Sequence, residues 1–111
     1  TEMLGDSDQL FLSDTDNATI AEVQALDIPY VVVLITGRPL IVSEDIDNSN
    51  AFMVAWLPGS EGDGVSDVLF GDAPATGTLS FSWPRSMENV PVNFDQENYD
   101  PLFKIGYGLK Y

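Results

Sequence analysis

Residues 51–72 read Ala51-Phe-Met-Val-Ala-Trp-Leu-Pro-Gly-Ser-Glu-Gly-Asp-Gly-Val-Ser-Asp-Val-Leu-Phe-Gly71-Asp72, and they are the most informative part of the sequence for predicting the fold. Its first seven residues, Ala51 to Leu57, are all apolar, and Pro58 and Gly59 close the run. A strand with one exposed face would alternate apolar with polar residues. The run therefore predicts a strand covered on both faces, as in a parallel sheet.

A helix is predicted directly after this strand. Ser60 is followed three positions later by Asp63, which is the spacing of a capping box, and carboxylates suit the first turn of a helix. Gly71 is well placed to end the helix in a left-handed conformation. Three apolar residues share one face of this helix: Val65, Val68 and Leu69. Strand, glycine turn and helix together form half of a βαβ unit.

The glycines of the turn do not form a phosphate-binding loop. Gly59, Gly62 and Gly64 lack the G-x-G-x-x-G spacing, and no Lys-Ser or Lys-Thr pair follows them. Glu61 and Asp63 would also repel an anion at the same amides. The sequence thus argues against nucleotide binding, and we expect no cofactor.

Outside this stretch, four further elements are predicted. A capping-box pattern over Thr19–Glu22 indicates a helix near residues 18–26, and the Val-rich run Tyr30–Ile35 indicates a second buried strand. One helical turn is expected within residues 43–50, and Leu79–Trp83 is expected to be a strand. Prolines and glycines interrupt the rest of the chain after Gly71.

Two parallel strands do not make a stable sheet, because parallel sheets need cover on both faces and usually more strands. The chain starts at Thr1, with its first Met at position 3, which suggests a processed or truncated product. We therefore predict an α/β fold. Specifically, we expect the C-terminal part of a mostly parallel-sheet α/β sandwich domain, with partner strands upstream and a long irregular tail downstream.

Charge and composition exclude several classes of function. The 111 residues carry a formal charge of −14 with only four Lys and Arg, so binding to nucleic acid or anionic lipid is not expected. The sequence has no histidine and no cysteine, which removes Ser-His-Asp and Cys-His nucleophilic sites and zinc sites of imidazole or thiolate. No apolar run is long enough to span a membrane. The acidic excess fits a solvated surface in salty or extracellular surroundings, or an acidic recognition surface.

Four segments, in this order, resemble glycoside hydrolase family 3, specifically the second, α/β-sandwich domain of its exo-β-glucan glucohydrolases and β-glucosidases. They are Gly37-Arg38-Pro39-Leu40; Ala55-Trp-Leu-Pro-Gly-Ser-Glu-Gly62 with Leu69-Phe-Gly-Asp72; Thr76-Gly77 with Ser82-Trp83-Pro84-Arg85-Ser86; and Tyr99-Asp-Pro-Leu-Phe103 with Gly106-Tyr107-Gly108-Leu109. A fifth and weaker segment is Thr1-Glu2-Met-Leu-Gly5-Asp6. Two departures are Leu79-Ser80-Phe81, where relatives have a proline after the leucine, and the less familiar stretch 14–27.

The resemblance implies a retaining β-glycosidase, in which two carboxyl groups roughly 5 Å apart act as nucleophile and acid/base. In such enzymes the nucleophilic Asp comes from a separate N-terminal barrel domain, and the sandwich domain supplies the acid/base Glu about 35 residues before its Gly-Arg-Pro segment. Glu2 lies 36 positions before Arg38, so the resemblance makes Glu2 the candidate catalytic residue. The alternative is an ordinary exposed carboxylate near a chain end.

The resemblance also implies a β-glucan or β-glucoside substrate, the barrel domain as partner and an inactive isolated chain. We further expect an extracellular or periplasmic location, which the acidic composition fits. The competing hypothesis is a non-catalytic carbohydrate-binding or assembly module. The two differ in the role of Glu2.

Other candidate residues have structural explanations that we favour over a role in the site. Glu61 is expected to cap a helix rather than to catalyse. For Arg38 we favour an interior ion pair with Glu61 or Asp72 over sugar binding. The acidic segment 14–17 has a weak likeness to a calcium loop but lacks the required glycine and distal Glu, so we expect a solvated turn and no metal site.

For three aromatic residues, packing in the core is weighed against a role in the site. Trp56 lies within an apolar strand, so we expect it in the core. Trp83 and Tyr107 are better placed for sugar stacking or an interdomain contact, although we favour core packing for both.

Overall fold

The structure is a computed structural model that describes residues 7–109. In chain order its elements are helix α1 (Asp14–Gln24), strand β1 (Val31–Ile35), helix α2 (Ser43–Asn48), strand β2 (Ala51–Trp56) and helix α3 (Gly62–Phe70), with a short 3-10 turn at Met87–Asn89. The fold is α/β, as predicted. No helix of the described part is long and apolar enough to cross a membrane.

Strands β1 and β2 pair in parallel. Both were predicted to within one residue at each end, because each is an apolar run bounded by Pro or Gly. Val31 lies opposite Ala51 and Leu34 opposite Val54, but Ile35 then lies opposite Trp56. Ala55 is therefore an extra residue, a β-bulge that bends the end of β2.

Helix α1 starts four residues earlier than the predicted start near residue 18. The Ser13 hydroxyl accepts a hydrogen bond from the Asp16 amide, so Ser13 is the N-cap. Thr19, the expected cap, lies inside the helix and donates its hydroxyl to the Thr15 carbonyl. The prediction was wrong because two capping signals lie close together, and the first one, with carboxylates in the first turn, starts the helix.

The predicted start of α3 was also wrong. Its N-cap position is Glu61 rather than Ser60, and no side chain caps the helix there. Instead, the Glu61 amide donates to the Pro58 carbonyl at 3.0 Å, so a backbone turn precedes the helix. The predicted end is confirmed, since Gly71 has a φ of 84° in the left-handed region.

The core lies where β1, α2 and the segment around Trp83 meet. Its most buried members are Leu34, Val42 and Trp83, and Trp83 is 2% exposed. The rings of Trp56 and Trp83 lie 5.8 Å apart, and Trp56 also packs edge-on against Phe81 at 5.5 Å. This aromatic cluster joins the sheet to the irregular segment that follows α3.

Leu79–Trp83 is not a strand, which contradicts the prediction. Pairing at this segment consists of isolated bridges between Thr78 and Gly108 and between Trp83 and Phe103. The residues between them have the right composition for a strand, but the partner segment turns at Lys104–Tyr107 and cannot continue the ladder.

Part of the apolar surface is left uncovered by the described residues. On β1, Val31 is 48% exposed and Ile35 is 54% exposed. A largely apolar cavity of about 790 Å³ lies beside β2, between α3, residues 74–79 and residues 107–109. The predicted cover of both strand faces is thus not supplied within residues 7–109.

Candidate functional site

The two strands end at the same edge of the sheet, because they are parallel. Residues 36–41, which we call the Thr36 turn, follow β1 at this carboxyl edge, and the loop 57–61 follows β2. In open α/β sheets this edge is where ligands bind. The two segments at this edge therefore define the candidate site.

Thr36 fixes the start of the Thr36 turn from within the protein. It is 3% exposed, although it is polar. Its hydroxyl donates to the Arg38 carbonyl at 2.8 Å and accepts from the Arg38 amide at 3.2 Å. The Thr36 amide donates to the Trp56 carbonyl at 3.1 Å. One buried side chain thus holds both main-chain polar groups of Arg38.

Two further hydrogen bonds hold the other end of the Thr36 turn. The Trp83 indole Nε1 donates to the Leu40 carbonyl at 2.8 Å. The Ile41 amide donates to the Leu10 carbonyl at 2.6 Å, which ties residues 7–12 to this edge of the sheet. The turn is consequently fixed by the core, by β2 and by the N-terminal segment at once.

The end of β2 has an unusual backbone. Trp56 has a φ of 55°, in the left-handed region that bulky residues rarely adopt. Gly59, three residues later, has a φ of 58°, which glycine adopts without strain. Together with the bulge at Ala55, these conformations turn the chain sharply away from β2 and towards α3.

Glu2, the predicted catalytic residue, lies outside the described residues, and its role stays a prediction. Arg38 lies in the Thr36 turn and is partly buried. Its predicted partners, Glu61 and Asp72, are both exposed. Pairing of Arg38 with Glu61 or Asp72 stays a prediction. Elsewhere in residues 7–109, an ion pair joins Arg85 Nε to Asp100 Oδ2 at 3.4 Å.

Glu61 does not act as the expected helix cap. Its carboxylate lies 3.5 Å from the Ser60 hydroxyl, and its side chain makes no capping hydrogen bond. A solvated carboxylate with one weak contact of this kind is not organised for proton transfer.

The structure separates the three aromatic candidates. Trp56 packs against the core and Trp83 is buried in it, so both core predictions are confirmed. The core prediction for Tyr107 was wrong, because Tyr107 is 48% exposed and stacks on Phe103 with the ring centroids 4.2 Å apart. Its segment crosses the surface, where it bridges to Thr78 through Gly108.

The acidic side chains at 14–17 lie in the exposed first turn of α1 rather than in a separate loop, and Asp16 accepts from the Ser13 hydroxyl at 2.7 Å. Within residues 7–109 no three carboxylates come together in a way that could hold a metal ion. Burial raises the pKa of Asp45 on α2, a backbone hydrogen bond opposes this, and the neighbouring Glu44 adds to the rise.

Thr36 is the residue that sequence reasoning missed. The signal was present, because a threonine directly after an apolar strand and before Gly37 favours a side-chain-to-backbone turn. Nothing in the sequence indicates that this hydroxyl is buried.

The fold is an α/β domain in which hydrogen bonds to the core, to β2 and to the N-terminal segment hold the carboxyl edge of the sheet. The sequence profile of the Glycosyl hydrolase family 3 C-terminal domain matches residues 1–111. The chain belongs to this family.

Two curated relatives are similar over most of this chain. A periplasmic beta-glucosidase of Salmonella typhimurium is 34% identical over 83% of this chain and 15% of its own length. A beta-xylosidase of Formosa agariphila is 31% identical over 96% of this chain and 17% of its own length. The chain thus spans less than a fifth of these relatives.

Solved structures agree with the fold. The crystal structure of an exo-1,3/1,4-beta-glucanase from a Pseudoalteromonas species has a TM-score of 0.83 and 43% identity, over 96% of this chain and 14% of that one. A beta-glucosidase from Listeria innocua, solved in complex with isofagomine, also gives a TM-score of 0.83, at 29% identity over 92% of this chain and 18% of that one. The two-strand parallel sheet therefore corresponds to part of the larger chain in each of these two solved structures.

Proposed function

We propose that this chain is part of a retaining, exo-acting β-glucosidase or β-glucan glucohydrolase. In this proposal, residues 1–111 form the C-terminal portion of the family's second domain, and an N-terminal barrel domain carries the nucleophile. The observation that carries the proposal is the 43% identity to an exo-1,3/1,4-beta-glucanase over 96% of this chain.

Within this enzyme, we assign the acid/base role to Glu2. Its carboxylic acid would protonate the leaving oxygen while the barrel nucleophile attacks the anomeric carbon. Its carboxylate would then take a proton from the water that hydrolyses the glycosyl-enzyme. The Thr36 turn supports this placement, because the Ile41 amide binds the Leu10 carbonyl and thus ties the segment after Glu2 to the carboxyl edge.

The substrate would be a β-glucan or β-glucoside. An extracellular or periplasmic location is proposed from the periplasmic relative and from the acidic composition. The exposed residues of β1 and the cavity beside β2 are surfaces on which the remainder of the enzyme would pack.

The test is Glu2→Ala in the full-length enzyme. Hydrolysis of a glucoside with a poor leaving group should fall by about 10²- to 10⁴-fold, the usual contribution of general acid catalysis. A substrate with an activated leaving group should lose less in the first step, and added azide should restore turnover by attacking the glycosyl-enzyme without base assistance.

Two matched variants complete this experiment. Glu22→Ala removes an exposed carboxylate of α1 and should leave the rate unchanged. Glu61→Ala tests the other motif-bound glutamate. If Glu2→Ala retained the wild-type rate on poor-leaving-group substrates, the acid/base assignment would be wrong. If the wild-type full-length protein bound carbohydrate without hydrolysing it, the carbohydrate-binding module would be favoured.

A further inference from the structure

The apolar cavity beside β2 follows the edge of this strand rather than one of its faces. Successive side chains of a strand point to opposite faces of the sheet. Nevertheless every residue of β2, from Ala51 to Trp56, lines the cavity, whereas β1 contributes Val31. A space that contacts residues of both faces of β2 must lie along its edge, on the side away from β1.

The main chain of β2 presents polar groups to this cavity. The Asn50 amide donates to the Tyr30 carbonyl at 3.1 Å, so the main-chain groups of residue 50 point towards β1. These groups alternate between the two edges along a strand, so those of Ala51 and Met53 point away from β1. Within the described residues β2 pairs with β1 alone, and its second edge therefore has no strand partner.

Met53 shows why this edge favours a protein partner over water. Its side chain is buried, at 8% exposure, while its amide and carbonyl face a largely apolar cavity. Main-chain polar groups without partners cost free energy when they lie against apolar surface. Water could bond to these groups, but it would leave the apolar walls wetted. A strand would satisfy the edge and cover the walls together.

The walls of the cavity indicate what kind of strand fits. Helix α3 contributes Val65, Val68 and Leu69, and the core contributes Trp83 and Phe103. A strand that pairs with β2 continues both faces of the sheet, so both of its faces would meet apolar side chains. Since β2 is 6 residues long, a partner of about five or six residues, roughly 20 Å in length, matches it.

We propose that the cavity receives a third strand, apolar on both faces, which pairs with Ala51 and Met53 at the free edge of β2. This strand comes from the same polypeptide, outside residues 1–111. The inference rests on the proposed function, which makes this chain part of a longer enzyme. The two similar solved structures are long enough to supply such a strand, because this chain covers 14% and 18% of them.

Two arguments favour the same polypeptide over a second copy of the chain. A strand on the same polypeptide acts at the high effective concentration of an intramolecular partner. A second copy carries the same formal charge of −14, and the two copies would repel each other.

Hydrogen exchange in the full-length enzyme, resolved to single amides by mass spectrometry, tests the pairing. The Met53 amide should exchange about 10³-fold more slowly than in an unstructured chain, as expected of an amide paired inside a sheet. The Phe52 amide points towards β1 and is the internal control, with slow exchange in either case. Fast exchange at Met53 beside slow exchange at Phe52 would show an open edge and overturn the inference.

Photocrosslinking in the full-length enzyme identifies the occupant. The photoreactive p-benzoylphenylalanine replaces Leu69, which lines the cavity. After irradiation it should be joined to a peptide of the same molecule, outside residues 1–111, that contains an apolar run of about five residues. The same label in place of Glu22, which is exposed on α1, should not capture this peptide. If the Leu69 variant does not fold, the exposed Thr78 at the cavity carries the label.

The other crosslinking results contradict the inference. A crosslink between two molecules would make the occupant a second copy, and a crosslink to residues 1–6 or 110–111 would make it an end of this chain. A label that captures no peptide from outside residues 1–111 would also overturn it. Each result can occur while Glu2→Ala is inactive, so failure here is distinct from failure of the proposed function. Conversely, the expected crosslink with an active Glu2→Ala variant would refute the acid/base assignment alone.

Discussion

Trp56 illustrates how a single residue links the sheet to the candidate site. A left-handed backbone at a bulky residue costs on the order of 1–3 kcal/mol, and Trp56 adopts it with a φ of 55°. The conformation persists because the ring packs against Phe81 and Trp83 while the carbonyl accepts from the Thr36 amide. One strained residue thus joins β2 both to the aromatic cluster and to the Thr36 turn.

Asp45 gives a pH-dependent prediction at the same scale. Burial raises its pKa in the folded protein above the value of 3.8, so the folded state holds this proton more tightly than the unfolded state. Ionised Asp45 therefore destabilises the fold, and this cost appears as the pH rises from 3.8 through the raised pKa. Asp45→Asn should increase the stability of the full-length enzyme at pH 7 relative to wild type, and the gain should disappear below pH 3.8.

The control for Asp45 is Asp47→Asn, which removes the same charge from an exposed position of α2. Thermal unfolding of the three proteins across pH 3 to pH 7 measures the difference. An equal gain from both substitutions would show that net charge, rather than burial of Asp45, is responsible.

At the scale of elements, the sequence predicts strands better than helix starts. Apolar runs bounded by Pro or Gly place β1 and β2 to within a residue, because Pro and Gly are uncommon inside strands and so mark where each strand ends. Where two possible N-cap residues lie close together, the sequence does not show which one starts the helix, and at α1 the N-cap is Ser13. Leu79–Trp83 has a strand's composition, but its pairing depends on a distant segment that no local pattern reveals.

The glycines of α3 give an element-scale prediction. Gly64 lies within the helix and Gly71 ends it with a φ of 84°, and a Cβ at either position would meet no atom within 4 Å. Both positions therefore have room for a Cβ, and they differ in backbone conformation, because only Gly71 has a positive φ. Gly64→Ala should stabilise the enzyme by about 0.5–1 kcal/mol, because glycine is a poor helix former.

Gly71→Ala should destabilise the enzyme by about 1–2 kcal/mol, because an alanine is strained in the left-handed region. Chemical denaturation of the matched pair measures both changes. Equal effects of the same sign would contradict the view that α3 ends through the left-handed conformation of Gly71.

At the scale of the whole molecule, the fold class and the family can be predicted from apolar runs and motifs in the sequence. The candidate site can be predicted only in part. Arg38 was recognisable from its place after a buried strand, but the burial of Thr36 and the hydrogen bond from its amide to the Trp56 carbonyl are tertiary features that no local pattern reveals. The incomplete cover of the sheet was foreseeable, because two parallel strands leave open edges.

The last prediction concerns residues 1–111 expressed alone. Val31 and Ile35 of β1 are about half exposed, and Phe70 and Phe94 are each 79% exposed. Such surface, beside a two-stranded sheet with open edges, favours association with other chains.

The isolated chain should bind ANS strongly, because this apolar surface is exposed. It should show no glucosidase activity, because one carboxylate cannot act as both nucleophile and acid. A charge of −14 opposes association at low salt, so sedimentation should reveal oligomers that grow as salt screens the repulsion. The full-length enzyme is the control and should bind little ANS, because the proposed function expects its remaining parts to cover these surfaces. A monomer that unfolds cooperatively, without ANS binding or salt-dependent association, would show that these residues fold as a complete domain.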